Sequence, residues 1–190
     1  DIFQFCLSYR ITLQIDWIPR TLNEYADCLS RIIDYDDWSI SVEFYHYISA
    51  FFGPFTVDRF ASSTTAKCNT FYSKFWCPGT AGVDAFSADW ANENNWLVPP
   101  VHLIPRTIFH LEHCRARGIL VAPAWESSVF WPILFPPDEQ RASIIEVIKF
   151  SDPSNIFGES PEAFNIIFSK GQFKSPVLVI VLDASHSTAS

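Results

Sequence analysis

The chain has 190 residues, 48% of them hydrophobic and 16% aromatic, with a formal net charge of −8. That content supplies a core and argues against disorder, while the acidic balance excludes a uniformly basic surface for phosphate backbones. There is no run of about 18 apolar residues and no secretory leader pattern, so a soluble intracellular protein, cytoplasmic or nuclear and without a membrane partner, is expected.

In chain order, "ITLQIDWIP" alternates apolar and polar residues from Ile11 to Ile18, the pattern of a half-buried strand, and Pro19 ends it. Leu22, Ala26, Leu29 and Ile33 then share one helical face, with Thr21 or Asn23 as cap. After the acidic break "IDYDDW", the segment "SISVEFYHYISAFFG" predicts a second amphipathic helix stopped at Gly53-Pro54. Beyond Pro54, short apolar runs recur: "FTVDRFA", "NTFYSKFW", "WLVPPV", "GILVAPAW" and "PVLVIVLDA". Between the third and fourth lies a helix, "LIPRTIFHLEHCRARG", whose Ile104, Ile108, Leu111 and Arg115 share a face and for which Gly118 offers a stop. Strand, helix, strand with near-continuous apolar strands predicts a mainly parallel α/β sheet. "NIIFSKGQFKSPVLVIVLD" reads as a terminal hairpin turning at Lys170-Gly171, and "SHSTAS" as a frayed end.

Five cysteines with scattered spacing form neither a CxxC pair nor a zinc set with the five histidines, so free thiols in a reducing compartment are expected. His110, His113 and Cys114 would need a further ligand to hold a metal, and Arg106, Arg115 and Arg117 read first as a solvated helix face. Ser127 and Ser128 lack the context of a nucleophile elbow. The chain contains no methionine, which predicts a piece of something longer.

Two strings carry resemblances. "IPRTLNEYADCLSR" resembles the closing segment of the ribonuclease H domain in retroelement reverse transcriptases, through Ile18, Pro19, Asn23, Ala26, Asp27, Leu29, Ser30 and Arg31, with Arg20 where a glycine is usual. The resemblance implies that Asp27 is a catalytic metal ligand, one of four acidic residues around two Mg²⁺ ions, with its partners upstream and an RNA/DNA hybrid as the parent's substrate. The second string, from Phe55 to Trp131, resembles the region that follows ribonuclease H in tyrosine-recombinase (DIRS-class) retroelements. More remotely it is similar to phage-type adenine methyltransferases. There, an acidic strand end, here Asp58, helps hold S-adenosylmethionine, and "N-P-P-Y" grips an extruded adenine. Pro99 and Pro100 fall on that substrate side with Trp96, which reads first as a core aromatic and second as a stacking face. The tetrad here is Val98-Pro99-Pro100-Val101, which lacks both the polar acceptor and the stacking ring. No GxGxxG loop follows any strand.

The expectation is therefore the last strand and helix of a ribonuclease H fold over residues 1–33 and a connector helix over 34–53. A Rossmann-like, methyltransferase-type α/β domain would follow over 54–185, with a tail at 186–190. Its role would be a nucleic-acid-associated module of a reverse transcriptase polyprotein, inactive alone and not expected to use S-adenosylmethionine. The alternatives are a non-catalytic host scaffold and an active adenine methyltransferase.

Overall fold

A computed structural model describes residues 2–12, 38–138, 141–158, 168 and 171–185. The chain divides into two units, Asp1–Ile33 and Asp34–Ser190. In the first, the described structure is helix α1 (Ile2–Tyr9), which no sequence pattern announced. The expected strand from Ile11, the helix after it and Asp27 lie outside the described residues, apart from Ile11 and Thr12, which join no strand.

The second unit is built on a seven-stranded sheet of order β3-β2-β1-β4-β5-β7-β6. Its strands are β1 (Val57–Asp58), β2 (Thr70–Ser73), β3 (Gly82–Val83), β4 (Asn94–Leu97), β5 (Arg117–Pro123), β6 (Ile144–Phe150) and β7 (Val177–Asp183). The five pairing partners β3, β2, β1, β4 and β5 run parallel, whereas β7 is antiparallel to both β5 and β6. The mainly parallel α/β sheet expected from the apolar runs is thus present. All five of those runs contain strands, while β3 and β6 were not anticipated.

The terminal antiparallel pair exists, but its first arm is Ile144–Phe150. The arm expected immediately before Lys170 lies outside the described residues, among which β7 pairs with β5 and β6. Gly171 adopts a positive φ of 75°, which suits the expected turn.

Alternation along the central strands divides the interior into two cores. Leu97, Leu120, Ala122, Leu178, Ile180 and Leu182 point to one face, where α3 (Ile104–His113) and α4 (Trp131–Leu134) cover them. Trp96, Val98, Ile119, Val121, Val177 and Val179 point to the other, under α2 (Val42–Phe52). Each large aliphatic residue buried in this way contributes about 1.5–3 kcal/mol relative to exposure.

Helix α2 starts where Ser41 Oγ accepts the Phe44 N–H at 3.2 Å and ends at Gly53, as its sequence predicts. It buries Phe44 and Ile48 in the second core, so this segment is a layer of the sandwich. Helix α3 places Ile104, Ile108 and Leu111 on the sheet with Pro105 in its first turn. It ends at His113, earlier than Gly118, through Arg115 at φ 50°. Gly118 is instead a strand residue: a Cβ there would lie 2.4 Å from the Asn95 carbonyl oxygen, so β5 can approach β4 only without a side chain.

Candidate functional site

In an open parallel sheet, the crevice forms at the carboxyl ends of the strands where the order reverses. Here that point lies between β1 and β4, whose onward neighbours are β2 and β5. Asp58 ends β1 and is paired in register with Trp96 of β4, and Val98-Pro99-Pro100 follows immediately. The structure therefore gathers Asp58, Trp96, Pro99 and Pro100, drawn from 43 residues of sequence, at one corner of the sheet. Each of Asp58, Trp96 and Pro99 is engaged there by the chain's own groups.

Asp58 is only 2% exposed. Its Oδ1 accepts the Phe60 N–H at 3.3 Å and its Oδ2 accepts the Lys67 N–H at 3.0 Å, closing the loop that leaves β1. Lys67 Nζ in turn donates to Thr65 O at 2.9 Å and Ser39 Oγ at 3.3 Å. Burial lowers the affinity of this amine for its proton, while the charges of Asp58 and Glu43 pull the other way.

Beside it, Arg59 is buried. Its Nε donates to Asn95 Oδ1 at 2.7 Å and its guanidinium lies 4.9 Å and 5.4 Å from the ring centroids of Tyr72 and Trp90. Burial pushes its pKa down from the ordinary value, chiefly by desolvation. Asn95 completes the knot, donating from Nδ2 to Arg117 O at 2.8 Å and Trp90 O at 3.1 Å. Phe60 packs edge-on against Phe86 and Trp90, at 5.5 Å and 6.1 Å.

A cofactor approaching β1 needs a small-residue loop and a carboxylate presented outward. This corner instead holds the side chains of Arg59 and Phe60 and a carboxylate turned into its own loop. The residues present do not fit S-adenosylmethionine at Asp58.

On the substrate side, Trp96 is 1% exposed, with Tyr45 edge-on at 5.1 Å and Phe55 at 5.0 Å. Its faces are covered by the chain's own rings, so it is a core aromatic and not a stacking surface for a base. Tyr45 Oη and Cys68 Sγ are 3.6 Å apart. Burial pushes the Cys68 thiol up to about 11, the bond to Tyr45 opposing and Asp58 adding to the effect. The Tyr45 hydroxyl is raised above its usual value by the same desolvation.

At the tip of β4, the Trp38 indole N–H donates to Pro99 O at 3.0 Å in a buried setting. Trp38 is fixed there by a backbone bridge between Ile40 and Phe157, and its ring stacks on Phe168 at 4.8 Å. Sequence reasoning missed Trp38 because its partner lies 61 positions away. An aromatic ahead of the helix cap was the available signal. Pro100 begins the turn Val101–Leu103, its carbonyl accepting the Leu103 N–H at 2.8 Å.

The other candidates have structural employment. His110 Nε2 lies 3.0 Å from Ala88 O and 3.5 Å from Cys114 Sγ, its ring edge-on to Trp90 at 4.6 Å. Among the described residues, no group of three or more His, Cys, Asp or Glu side chains could hold a metal ion. Arg106 sits 3.9 Å over the Phe86 ring and 3.9 Å from the Asp84 carboxylate. Ser128 Oγ donates to Trp125 O at 2.6 Å. Cys6, Cys68, Cys77 and Cys114 are free thiols.

Among the described residues no helix is long and apolar enough to cross a membrane. The family profile for DNA N-6-adenine-methyltransferase (Dam) matches residues 30–136, more than half of the chain. A search of curated proteins finds no match.

Proposed function

The chain belongs to the DNA N-6-adenine-methyltransferase (Dam) family, and on that premise we propose that it is a methyltransferase-fold module that has lost methyl transfer and serves as a nucleic-acid-associated domain. The observation that carries this reading is the Trp38–Pro99 hydrogen bond. To be methylated, an adenine amino group must be held by acceptors at the end of the strand carrying the Pro-Pro pair, with a ring stacked on the extruded base. Here Val98 supplies no side-chain acceptor, Val101 supplies no ring, and the Pro99 carbonyl already accepts a hydrogen bond from the chain's own indole. S-adenosylmethionine would supply the methyl group in an active member. The engaged Asp58 and the filled loop after β1 give it no seat.

Two measurements test this. Titration calorimetry with S-adenosylmethionine should show no binding at micromolar concentrations, and incubation with labelled donor and adenine-containing DNA should transfer no label. Micromolar affinity together with transfer above the no-protein blank would overturn the reading.

A finer reading concerns the parent. The string from Ile18 to Arg31 supports a place for the module behind the ribonuclease H domain of a retroelement reverse transcriptase. In that setting Asp27 would bind Mg²⁺ and the parent would act on RNA/DNA hybrids. Asp27→Asn in a reconstructed full-length protein should lose magnesium-dependent RNA cleavage and keep polymerisation. Equal cleavage by mutant and wild type would remove Asp27 from the metal site.

A further inference from the structure

Two strands from the Pro99 corner, roughly 10 Å along the same edge of the sheet at ordinary strand spacing, the chain does the opposite of what it does at β1. The loop leaving β2 reads Lys74-Phe75-Trp76, and it turns its rings outward: Phe75 is 54% exposed and Trp76 is 76% exposed.

The loop that holds them is tightly bonded. Ser73 Oγ lies 2.6 Å from Phe75 O and 2.9 Å from Thr80 Oγ1, and Thr80 Oγ1 is 2.7 Å from Gly82 O. Ala81 N–H donates to Phe71 O at 2.8 Å, and Thr80 N–H to Cys77 O at 3.2 Å. Gly79 makes the reversal at φ 85°, a conformation that side chains disfavour. Two adjacent exposed rings on a bonded loop make an apolar patch, the kind of surface that marks a contact site where exposed residues scattered singly would not.

The charge beside the rings says what kind of partner fits. Lys74 Nζ sits 5.5 Å from the Phe75 ring centroid, a cation next to flat apolar surface in a chain of net charge −8. Arg106 is exposed nearby, across Asp84, whose N–H donates to Ser73 O at 3.0 Å and whose carboxylate offsets part of the Arg106 charge. Planar faces that stack on rings, with an anionic backbone to meet an ammonium, are the chemistry of unpaired nucleotides; a duplex hides its base faces inside the stack.

We propose that Lys74, Phe75 and Trp76 form a docking platform for single-stranded nucleic acid, with bases stacked on Phe75 and Trp76 and a phosphate on Lys74. This rests on the nucleic-acid-associated reading above and gives it a place on the molecule separate from the closed corner at Pro99. Binding needs neither a methyl donor nor an extruded adenine.

The test uses the full chain and a fluorescently labelled, adenine-containing single-stranded oligonucleotide, followed by anisotropy. Trp76→Ala should bind about 10-fold more weakly than wild type. Lys74→Ala should weaken binding less and reduce the slope of log affinity against log salt by about one. An oligomer of the same length made of abasic sites should bind as poorly as the Trp76→Ala variant. All three side chains are exposed, so unchanged urea unfolding confirms that the variants are folded.

Wild-type affinity in Trp76→Ala, equal affinity for the abasic oligomer, or no binding by wild type would each overturn the platform. Methyl transfer to the same oligonucleotide, measured in parallel, bears on the lost-chemistry reading alone. Transfer with weakened Trp76→Ala binding would overturn the lost-chemistry reading alone, and no transfer with normal Trp76→Ala binding would overturn the platform alone.

Discussion

The loops after β1 and β2 leave neighbouring parallel strands on the same edge of the sheet, yet they solve opposite problems. After β1, the polar groups are turned inward. Asp58 accepts two backbone N–H groups, Arg59 Nε donates to Asn95 Oδ1, and Asn95 Nδ2 donates on to backbone carbonyls. After β2, the polar groups of Ser73 and Thr80 are spent on holding the loop, and the aromatics are left in water. The difference teaches that one strand-end edge can hold two kinds of surface: the residues after β1 are buried, whereas the rings after β2 are exposed, where the proposed platform would use them.

Substitutions that break the first region should therefore cost stability, while those in the second should cost binding only. The largest effect is expected at Asn95. Asn95→Leu removes the partner of the buried Arg59 Nε and of the Trp90 and Arg117 carbonyls. Leaving several buried groups unpaired should destabilise the fold by about 3–5 kcal/mol and lower Tm by roughly 10 °C, read by thermal unfolding. A change within a degree of wild type would show that the corner is wet and not closed.

Next comes a tie far from the crevice that sequence reading did not find. Arg141 forms a two-pronged bond with Glu112, Nε and Nη2 each at 2.6 Å from a carboxylate oxygen, and Ser143 Oγ adds a third at 2.6 Å. Arg141→Ala should cost about 1.5–3 kcal/mol in urea unfolding, a value that calibrates what one charged knot contributes to this fold.

Trp38→Phe keeps a ring but deletes the indole N–H and part of a buried ring system, at about 1 kcal/mol for the bond and roughly as much again for the vacated volume. Methyl transfer should remain absent in this variant, because Val98 and Val101 still supply neither acceptor nor stacking ring. Transfer appearing there would identify Trp38 as the sole block.

The pH dependence follows from Glu112. Burial raises its pKa, but the bonds from Arg141 and Ser143 and the Arg141 charge outweigh it, so the net shift is below the ordinary value. A carboxyl depressed on folding contributes stability above its unfolded pKa, near ~4.3, and loses it as pH falls through the lower folded value. Glu112→Gln should therefore flatten the acid limb of the stability curve below about pH 4. A limb as steep as wild type would remove Glu112 from the linkage.

The smallest effect is local. Cys68, its pKa near 11, should be alkylated at pH 8 roughly 100-fold more slowly than an ordinary thiol. Peptide mapping after a short iodoacetamide pulse checks this, and modification at an ordinary thiol's rate would mean that the first region opens readily. By contrast, Trp76→Ala should leave stability within about 0.5 kcal/mol of wild type.

Elements were legible wherever local pattern and burial agree. The five apolar runs, the Ser41–Gly53 helix and the Ile104–Ile108–Leu111 face all follow from side-chain period, since strands buried on both sides need apolar residues at every position. β3 was illegible because only Gly82 and Val83 form it, too short for any period. β6 escaped because, as an edge strand, it mixes Glu146 and Lys149 with Ile148 and Phe150. Gly118 was misread as a helix stop because a glycine's reason is spatial: the nearness of Asn95 is invisible along the chain.

The candidate site divides in the same way. Residue identity by itself determined that Val98 and Val101 offer neither a side-chain acceptor nor a stacking ring, because an isopropyl group neither accepts a hydrogen bond nor stacks. Only the tertiary structure decided that Asp58, Trp96 and Pro99 meet at one corner, that Trp38 closes it, and that Trp76 stays outside. Those outcomes depend on strand order and on contacts as distant in sequence as Trp38 with Phe168, and no local pattern encodes which side chain will be the one to fill a crevice.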